Sequence, residues 1–386
     1  MPGDIPTGPE RLAAILSGEA GPAPVDVDEL REAALEALDG LAGTYLEAGA
    51  GSGRTVVDNE RAFSRWRIRP RTLTDVRERS LSVSVLGREF PAPVALAPIG
   101  YQRMFHEDGE AASAGAAASL GVPYVAGTYA SRSLEAIRER LGDGPAWFQL
   151  YASLEDEITA SLIDRAASAG YDALVVTVDA HSFGWREPVL EYREEAGSFR
   201  LEPANYFDDP AFRALLEKPP ESDREAALDR YAEVSGPAVV DREALARIVE
   251  WSRLPVLVKG ILHPEDARAA IEAGADGVIV SNHGGRVVDN AIPAIEALPE
   301  VVDAVGEEGP VGFDSGIRRG ADAIVAGALG ADLVLLGRPY IYGLAIDGQR
   351  GVRTVLENFL ADLDMTLALT GCSGWEELDR SMLVRE

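Results

Sequence analysis

Scarcity bounds this chain before any motif does. Cysteine occurs once, as Cys372, which excludes an intrachain disulfide and any multi-cysteine metal centre and fits a reducing, cytoplasmic setting. The four histidines, His106, His181, His263 and His283, lack close ligand spacing, so no metal is expected. Lysine occurs only as Lys218 and Lys259, and positive charge is itself in short supply: 36 Lys and Arg face 64 Asp and Glu, a formal net charge of -28. Nucleic acids and anionic membranes are gripped by clustered cations, so neither is an expected partner. No stretch approaches the roughly 18 apolar residues of a membrane span, and the opening MPGDIPTGPERLAAIL has no basic region followed by an apolar one. These absences point to a soluble protein.

What is present has a rhythm. Residues 9–18 and 27–40 have helical periodicity and precede a Gly-rich stretch, YLEAGAGSGRT; then RWRIRPRTLTDV and SLSVSVLGREF read as extended, the second with a Gly turn. Beyond residue 90, apolar runs recur as VALAP, PYVAG, AWFQLY, ALVVTVD, PVLVKG, GVIVSN, PVGFD and DLVLLG, most of them separated by an alanine-rich helical stretch. Continuous hydrophobicity marks strands buried on both faces, hence a parallel sheet, and eight such units predict a closed (β/α)8 TIM barrel. An open doubly wound sheet is the alternative, but no strand is followed by GxGxxG. The rhythm breaks between 183 and 240, where EPVLEYREEAGSFRLEPANYFDDP is polar and irregular, as expected of a lid inserted after strand four. The organisation expected is one unit over 1–386: helices and extended segments over 1–90, a barrel with its lid over 91–350, and C-terminal helices over 351–386.

Barrel chemistry sits at the C-terminal strand ends. Those ends carry Gly100, Thr128, Gln149 with Tyr151, Thr177 with Asp179, Lys259, His283, Asp314, and Gly337 with Arg338. FDSGIRRGADA and LLGRPY follow strands seven and eight, the usual phosphate site of such barrels, so Arg318, Arg319 and Arg338 are either an anion site or plain surface arginines. Lys259 ends an apolar strand in a chain that avoids lysine. It reads as a point charge beside a cofactor that gains negative charge, or as a structural ion pair in the barrel mouth. His283, in SNHGGR, is a general base oriented by Asp179 or a hydrogen-bonded barrel-end histidine. Arg286 could grip a carboxylate in a bidentate manner, with Arg186 as a second cationic contact. Gly284 and Gly285 would admit close approach of backbone and cofactor.

SNHGGR, LVKGI, FQLY, TVD, DSGIRRGAD and GRPYIYG occur in order, and from about Tyr45 to ALTGC near residue 372 the sequence resembles the FMN-dependent L-2-hydroxy acid oxidases and dehydrogenases. APIG, FGWR and the NY pair at 205 and 206 are most similar to its lactate 2-monooxygenase branch. The resemblance implies oxidation of an L-2-hydroxy acid to the 2-oxo acid, with oxygen or another electron acceptor, in a homotetramer. A non-redox FMN-binding isomerase or binding protein is the reading from another class. By the same resemblance His283 takes a proton with Asp179 as partner, Arg286 and Tyr45 hold the substrate carboxylate, Tyr151 its hydroxyl, and Arg186 the developing charge. Lys259, Gln149, Thr177, Ile99, Gly100, Thr128 and Ser281 would contact the flavin ring, and Asp314, Gly316, Arg318, Gly337 and Arg338 its ribityl chain and phosphate. Three positions depart from the family pattern: Gly127 replaces a common serine, with Thr128 as possible substitute; Gly100 replaces an alanine, which would leave room for a larger substrate; and Val287 replaces a polar residue.

An acidic, lysine-poor surface suits concentrated salt, where self-repulsion is screened. Activity and stability are therefore expected to be higher in molar salt than in dilute buffer; equal thermal stability in the two would remove the idea of a high-salt habitat.

Overall fold

The computed structural model describes residues 5–182, 184–192, 203–236 and 238–386. Eight strands, β1 (Val94–Leu96), β2 (Tyr124–Gly127), β3 (Ala146–Leu150), β4 (Ala173–Thr177), β5 (Val256–Ile261), β6 (Gly277–Val280), β7 (Val311–Phe313) and β8 (Leu333–Leu336), form a closed barrel. All neighbours are parallel, and β8 closes on β1 through Val334 opposite Val94. The eight apolar runs are thus the eight strands of a (β/α)8 barrel.

Each run is hydrophobic throughout because its two faces meet two different cores. Val125, Trp147, Val175, Leu257, Ile279 and Leu335 pack in one cluster inside the barrel, whereas Ala126, Phe148, Val176, Val258, Val280 and Leu336 pack outward against the helices. The pleat alternates the two sets residue by residue. The N-terminal mouth is plugged by an antiparallel hairpin, Val83–Val85 and Arg88–Phe90, whose Phe90 ring meets Trp147 edge-on at 6.0 Å. Its turn residues Leu86 and Gly87 have φ of 52° and 73°, the conformation a two-residue hairpin loop requires.

Four segments differ from the sequence reading. The Gly-rich stretch near residue 50 is flanked by the helices Gly40–Glu47, capped by the Asp39 side chain, and Arg54–Ala62, which starts after Gly53 without a side-chain cap. RWRIRPRTLTDV contracts to the strand Trp66–Ile68, which pairs with Leu383–Arg385 at the other end of the chain. The insertion is partly helical, with Glu187–Glu191, Ala204–Phe207, Pro210–Ala214 and Arg224–Val234; Asp209 and Asp223 cap the last two, and 193–202 lie outside the described residues. Finally, the C-terminal helical region starts at Arg338, earlier than residue 351, and Arg338–Thr370 consists of two helices separated by the non-helical Asp347 and Gly348. None of the described helices is long and apolar enough to cross a membrane.

The break at Asp347 and Gly348 brings the two helices into backbone contact at Gly343 and Gly351. A Cβ on Gly343 would stand 2.6 Å from the Gly351 carbonyl, and one on Gly351 would collide with the Gly343 carbonyl. Gly351→Ala should cost about 1–3 kcal/mol of stability, read as a lowered urea midpoint.

Candidate active site

The pleat that fills the barrel with Val125, Trp147, Val175, Leu257, Ile279 and Leu335 continues two residues further up each strand. That step brings Gly127, Gln149, Thr177, Lys259, Ser281 and Gly337 to the axis at the C-terminal mouth. All but Ser281 line a cavity of about 210 Å³, together with Tyr45, Ile99, Gly100, Tyr151, Arg186, His283, Arg286, Val287, Asp314, Gly316, Arg318 and Arg338.

Lys259 is 4% exposed, with Nζ 3.0 Å from Asp314 Oδ2 and donating to Ser281 Oγ at 2.9 Å. Burial alone would depress the ammonium pKa, but Asp314 and then Asp179 raise it, so the charge persists. The ion pair and the cavity-facing cation are therefore one arrangement, not alternatives. Ser281 sits behind the wall, where its hydroxyl also accepts from the His283 amide at 3.0 Å. A bulge on β5 at Gly260, φ 105°, brings Asp179 against the strand: a Cβ on Gly260 would stand 2.5 Å from Asp179 Cβ.

Asp179 in turn does not line the cavity; its Oδ1 lies 2.9 Å from His283 Nδ1. With Nδ1–H donated to the carboxylate, the His283 Nε2 lone pair faces Tyr151, whose hydroxyl is 3.3 Å away. Burial, then Asp179, push the Tyr151 phenol pKa well up, so it keeps its proton. His283, Gly284 and Gly285 take three consecutive left-handed conformations, φ 58°, 62° and 75°. Gly284 lines the cavity, and glycine here is also required by the protein itself. A Cβ on Gly285 would stand 2.6 Å from Val56 N in the helix Arg54–Ala62, and one on Gly284 3.1 Å from Arg338 Nη1, so the constraint is backbone conformation and packing.

Three guanidinium groups converge. Arg286 lies with its guanidinium carbon 4.8 Å from the centre of the Tyr45 ring, and Arg186 at 6.0 Å from the same ring. Arg286 Nη1 donates to the carbonyls of Tyr45, Leu46 and Ala48, and Arg338 Nε to that of Leu46, so both cap the C-terminal end of the helix Gly40–Glu47. Among the described residues no carboxylate forms an ion pair with Arg286; burial and then Arg186 push its pKa down, a cost that an anion held nearby would relieve. The two loops expected to hold phosphate part company. At the helix Gly320–Ala328, Asp322 accepts from the amides of Arg318 and Arg319, so its own carboxylate fills that terminus, and Arg319 turns outward toward Asp28 at 3.9 Å. The terminus at Gly337 and Arg338 has no side-chain cap, and a Cβ on Gly337 would meet nothing within 4 Å.

Thr128 is a correction: it lies one residue off the axial parity, is fully buried, and its hydroxyl bonds the Gln149 carbonyl at 2.7 Å, so it steadies β3 rather than facing the cavity. Gly127 does leave space, since a Cβ there would meet nothing closer than 3.6 Å. Gly100 leaves none: its Cβ would stand 2.8 Å from the Tyr129 carbonyl oxygen, because the neighbouring backbone already occupies the room expected for substrate. Tyr129 itself was missed, although it follows Thr128 at the end of β2; its ring stacks on Tyr151 at 5.2 Å and lines the cavity with Tyr101 and Phe105.

The sequence over 34–385 matches the family described as FMN-dependent dehydrogenase. The chain is 40% identical to an L-lactate oxidase of Lysinibacillus sphaericus (strain C3-41), covering 94% of both chains. It is 35% identical to 2-hydroxyacid oxidase 1 of Homo sapiens, covering 88% of this chain and 90% of that one. A solved structure of a soluble mutant of the membrane-associated (S)-mandelate dehydrogenase from Pseudomonas putida superposes with a TM-score of 0.84 at 37% identity, covering 94% of this chain and 99% of the other.

Although burial opposes it, His283 and then Lys259 hold the Asp179 carboxyl below the usual carboxylate range. A depressed carboxyl stabilises the fold above its unfolded value, about 3.9, and loses that contribution as pH falls through the folded value. The stability difference between the wild type and Asp179→Asn should accordingly be full near neutrality and shrink below about pH 4 in urea titrations.

Proposed function

The chain belongs to the FMN-dependent dehydrogenase family and is an FMN-dependent 2-hydroxy acid oxidoreductase; from that premise we propose that it oxidises an L-2-hydroxy acid with His283 as base and dioxygen as acceptor. The residues present fit FMN. Among the described residues Gln149 Nε2 and Thr177 Oγ1 are buried with no partner, which is costly unless a bound group supplies one. Lys259 adds a buried cation beside them, and the uncapped helix start at Gly337, with Arg338 and Arg318, suits a phosphate. Bound there, FMN would supply the two-electron acceptor for the oxidation at the α-carbon.

The observation that carries the reading is His283 Nε2, freed by the Nδ1–Asp179 bond and placed in one cavity with two guanidinium groups. A substrate carboxylate on Arg286 and Arg186 completes the anion site and presents the hydroxyl carbon to the imidazole. Asp179 stabilises the imidazolium once His283 has taken the proton, and the Tyr151 phenol donates to the substrate oxygen.

The insertion bears on the fate of the product. Asn205 Nδ2 donates to the carbonyls of Gly127 and Thr128, and Tyr129 Oη donates to the Ser235 carbonyl, so 203–236 is fastened onto the cavity wall. This favours retention of the 2-oxo acid and its decarboxylation by peroxide in the same cavity, the lactate 2-monooxygenase outcome. A cytoplasmic homotetramer belongs to the same reading, supported by family resemblance and by the single cysteine.

Anaerobic mixing of the FMN-loaded protein with a panel of L-2-hydroxy acids should bleach the flavin; no bleaching with any acid would sink the redox assignment. His283→Gln should retain FMN and lose about 10²–10⁴-fold in rate. In air, carbon dioxide is the expected product, whereas stoichiometric hydrogen peroxide with intact 2-oxo acid would mark a simple oxidase.

A further inference from the structure

The mechanism leaves one fully buried acid unused. Glu110 opens the helix Glu110–Leu120 directly behind the cavity wall and is 0% exposed. Its Oε1 accepts from two backbone amides on different loops, Gln102 N at 3.1 Å and Ser131 N at 2.8 Å. The other oxygen, Oε2, is buried without a partner among the described residues. Gln102, also 0% exposed, extends the tie: its amide nitrogen donates to the Ile99 carbonyl at 3.0 Å and reaches the hydroxyls of Tyr124 and Tyr340, while its Oε1 accepts from Ser113 Oγ at 2.7 Å. Tyr340 in turn donates to the Ala97 carbonyl at 2.9 Å.

The two loops joined at Glu110 are the ones that follow β1 and β2. The first brings Ile99, Gly100 and Tyr101 to the cavity and the second brings Tyr129. They also meet directly, through Tyr101 N donating to the Tyr129 carbonyl at 2.9 Å, and Tyr101 is held at φ 53°, a conformation a bulky residue adopts only when its surroundings impose it. We propose that Glu110 is a positioning residue, whose carboxyl clamps the β1 and β2 loops together and so sets the wall against which substrate is held. The proposal rests on the cavity being the reaction site.

The clamp has a definite chemical form. Among the described residues no cation pairs with Glu110, and the titratable groups that face it are Tyr124 and Tyr340, both kept neutral by burial. Burial raises the Glu110 pKa against the backbone amides of Ser131 and Gln102 that lower it, which shifts the balance toward the neutral acid, with Oε1 as the acceptor of both amides. A neutral acid can be imitated by an amide; an ionised one cannot.

The test uses the full-length, FMN-loaded protein with Glu110→Ala, Glu110→Gln and Gln102→Met. Hydrogen exchange over 97–105 and 128–133 is read alongside kcat/KM per bound flavin. Glu110→Ala should speed exchange in both segments together and lower kcat/KM about tenfold or more, whereas Glu110→Gln should stay near wild type in both. If Glu110→Ala does not accumulate, Gln102→Met should show faster exchange over 97–105 and the same loss in kcat/KM. Unchanged exchange, or kcat/KM within about twofold of wild type in Glu110→Ala or its substitute Gln102→Met, overturns the clamp. Equal damage from Glu110→Gln and Glu110→Ala overturns the neutral form. Should no 2-hydroxy acid reduce the wild-type flavin, the proposed function fails while exchange still decides the clamp.

Discussion

A strand in a closed barrel has one face toward the axis, and the pleat sends every second side chain there. The rest of this structure depends on that constraint. Lower in the barrel the axial positions must be apolar and must fill the space, and Trp147, Leu257 and Ile279 do so. At the last axial position there is no layer above, so polar groups become affordable, and Gln149, Thr177 and Lys259 stand there. A change of register by one residue on β5 would turn Lys259 into the helix layer, where no Asp314 or Ser281 awaits it.

The second organising force is electrostatic. A chain with an excess of carboxylates has assembled Arg186, Arg286, Arg318, Arg338 and Lys259 around one cavity. Such a cluster would repel itself in isolation. It is tolerated because each cation has a specific acceptor: Asp314 for Lys259, Glu60 for Arg318, and backbone carbonyls for Arg286, Arg338 and Arg186. Carbonyl partners stabilise a guanidinium without neutralising it, so net positive potential remains where an anionic substrate and a phosphate are expected.

The barrel was legible because eight apolar runs have little other use, and His283, Arg286 and Lys259 stood out as polar residues in strand-end motifs. What escaped the sequence escaped for identifiable reasons. Thr128 was assigned by its nearness to a strand end, although counting parity from Val125 would have turned it away from the axis. Tyr129 lay one residue beyond the end as counted. Arg319 illustrates a different limit: in FDSGIRRGAD, Gly316 and Arg318 line the cavity while Arg319 turns outward toward Asp28 and Asp322 accepts at the helix terminus, and only geometry separates such neighbours. Gly100 was read as an absent side chain and hence as space, when the Tyr129 backbone from the adjacent loop had moved into it. An absence in one chain segment has no meaning until its neighbours are placed.

The capping of the helix Gly40–Glu47 by Arg286 and Arg338 has a consequence for the order of events. The two arginines reach that helix across 241 and 292 residues of chain. Closing loops of that length comes late in folding, and during synthesis the helix must wait until Arg338 has left the ribosome. Until then the Leu46 carbonyl lacks its Arg338 Nε–H donor and the cavity lacks one of its cations. The mouth of the barrel is therefore a seam between residues 45–48 and Arg286 and Arg338, and a nascent chain cannot enclose the whole cavity before Arg338 has been made.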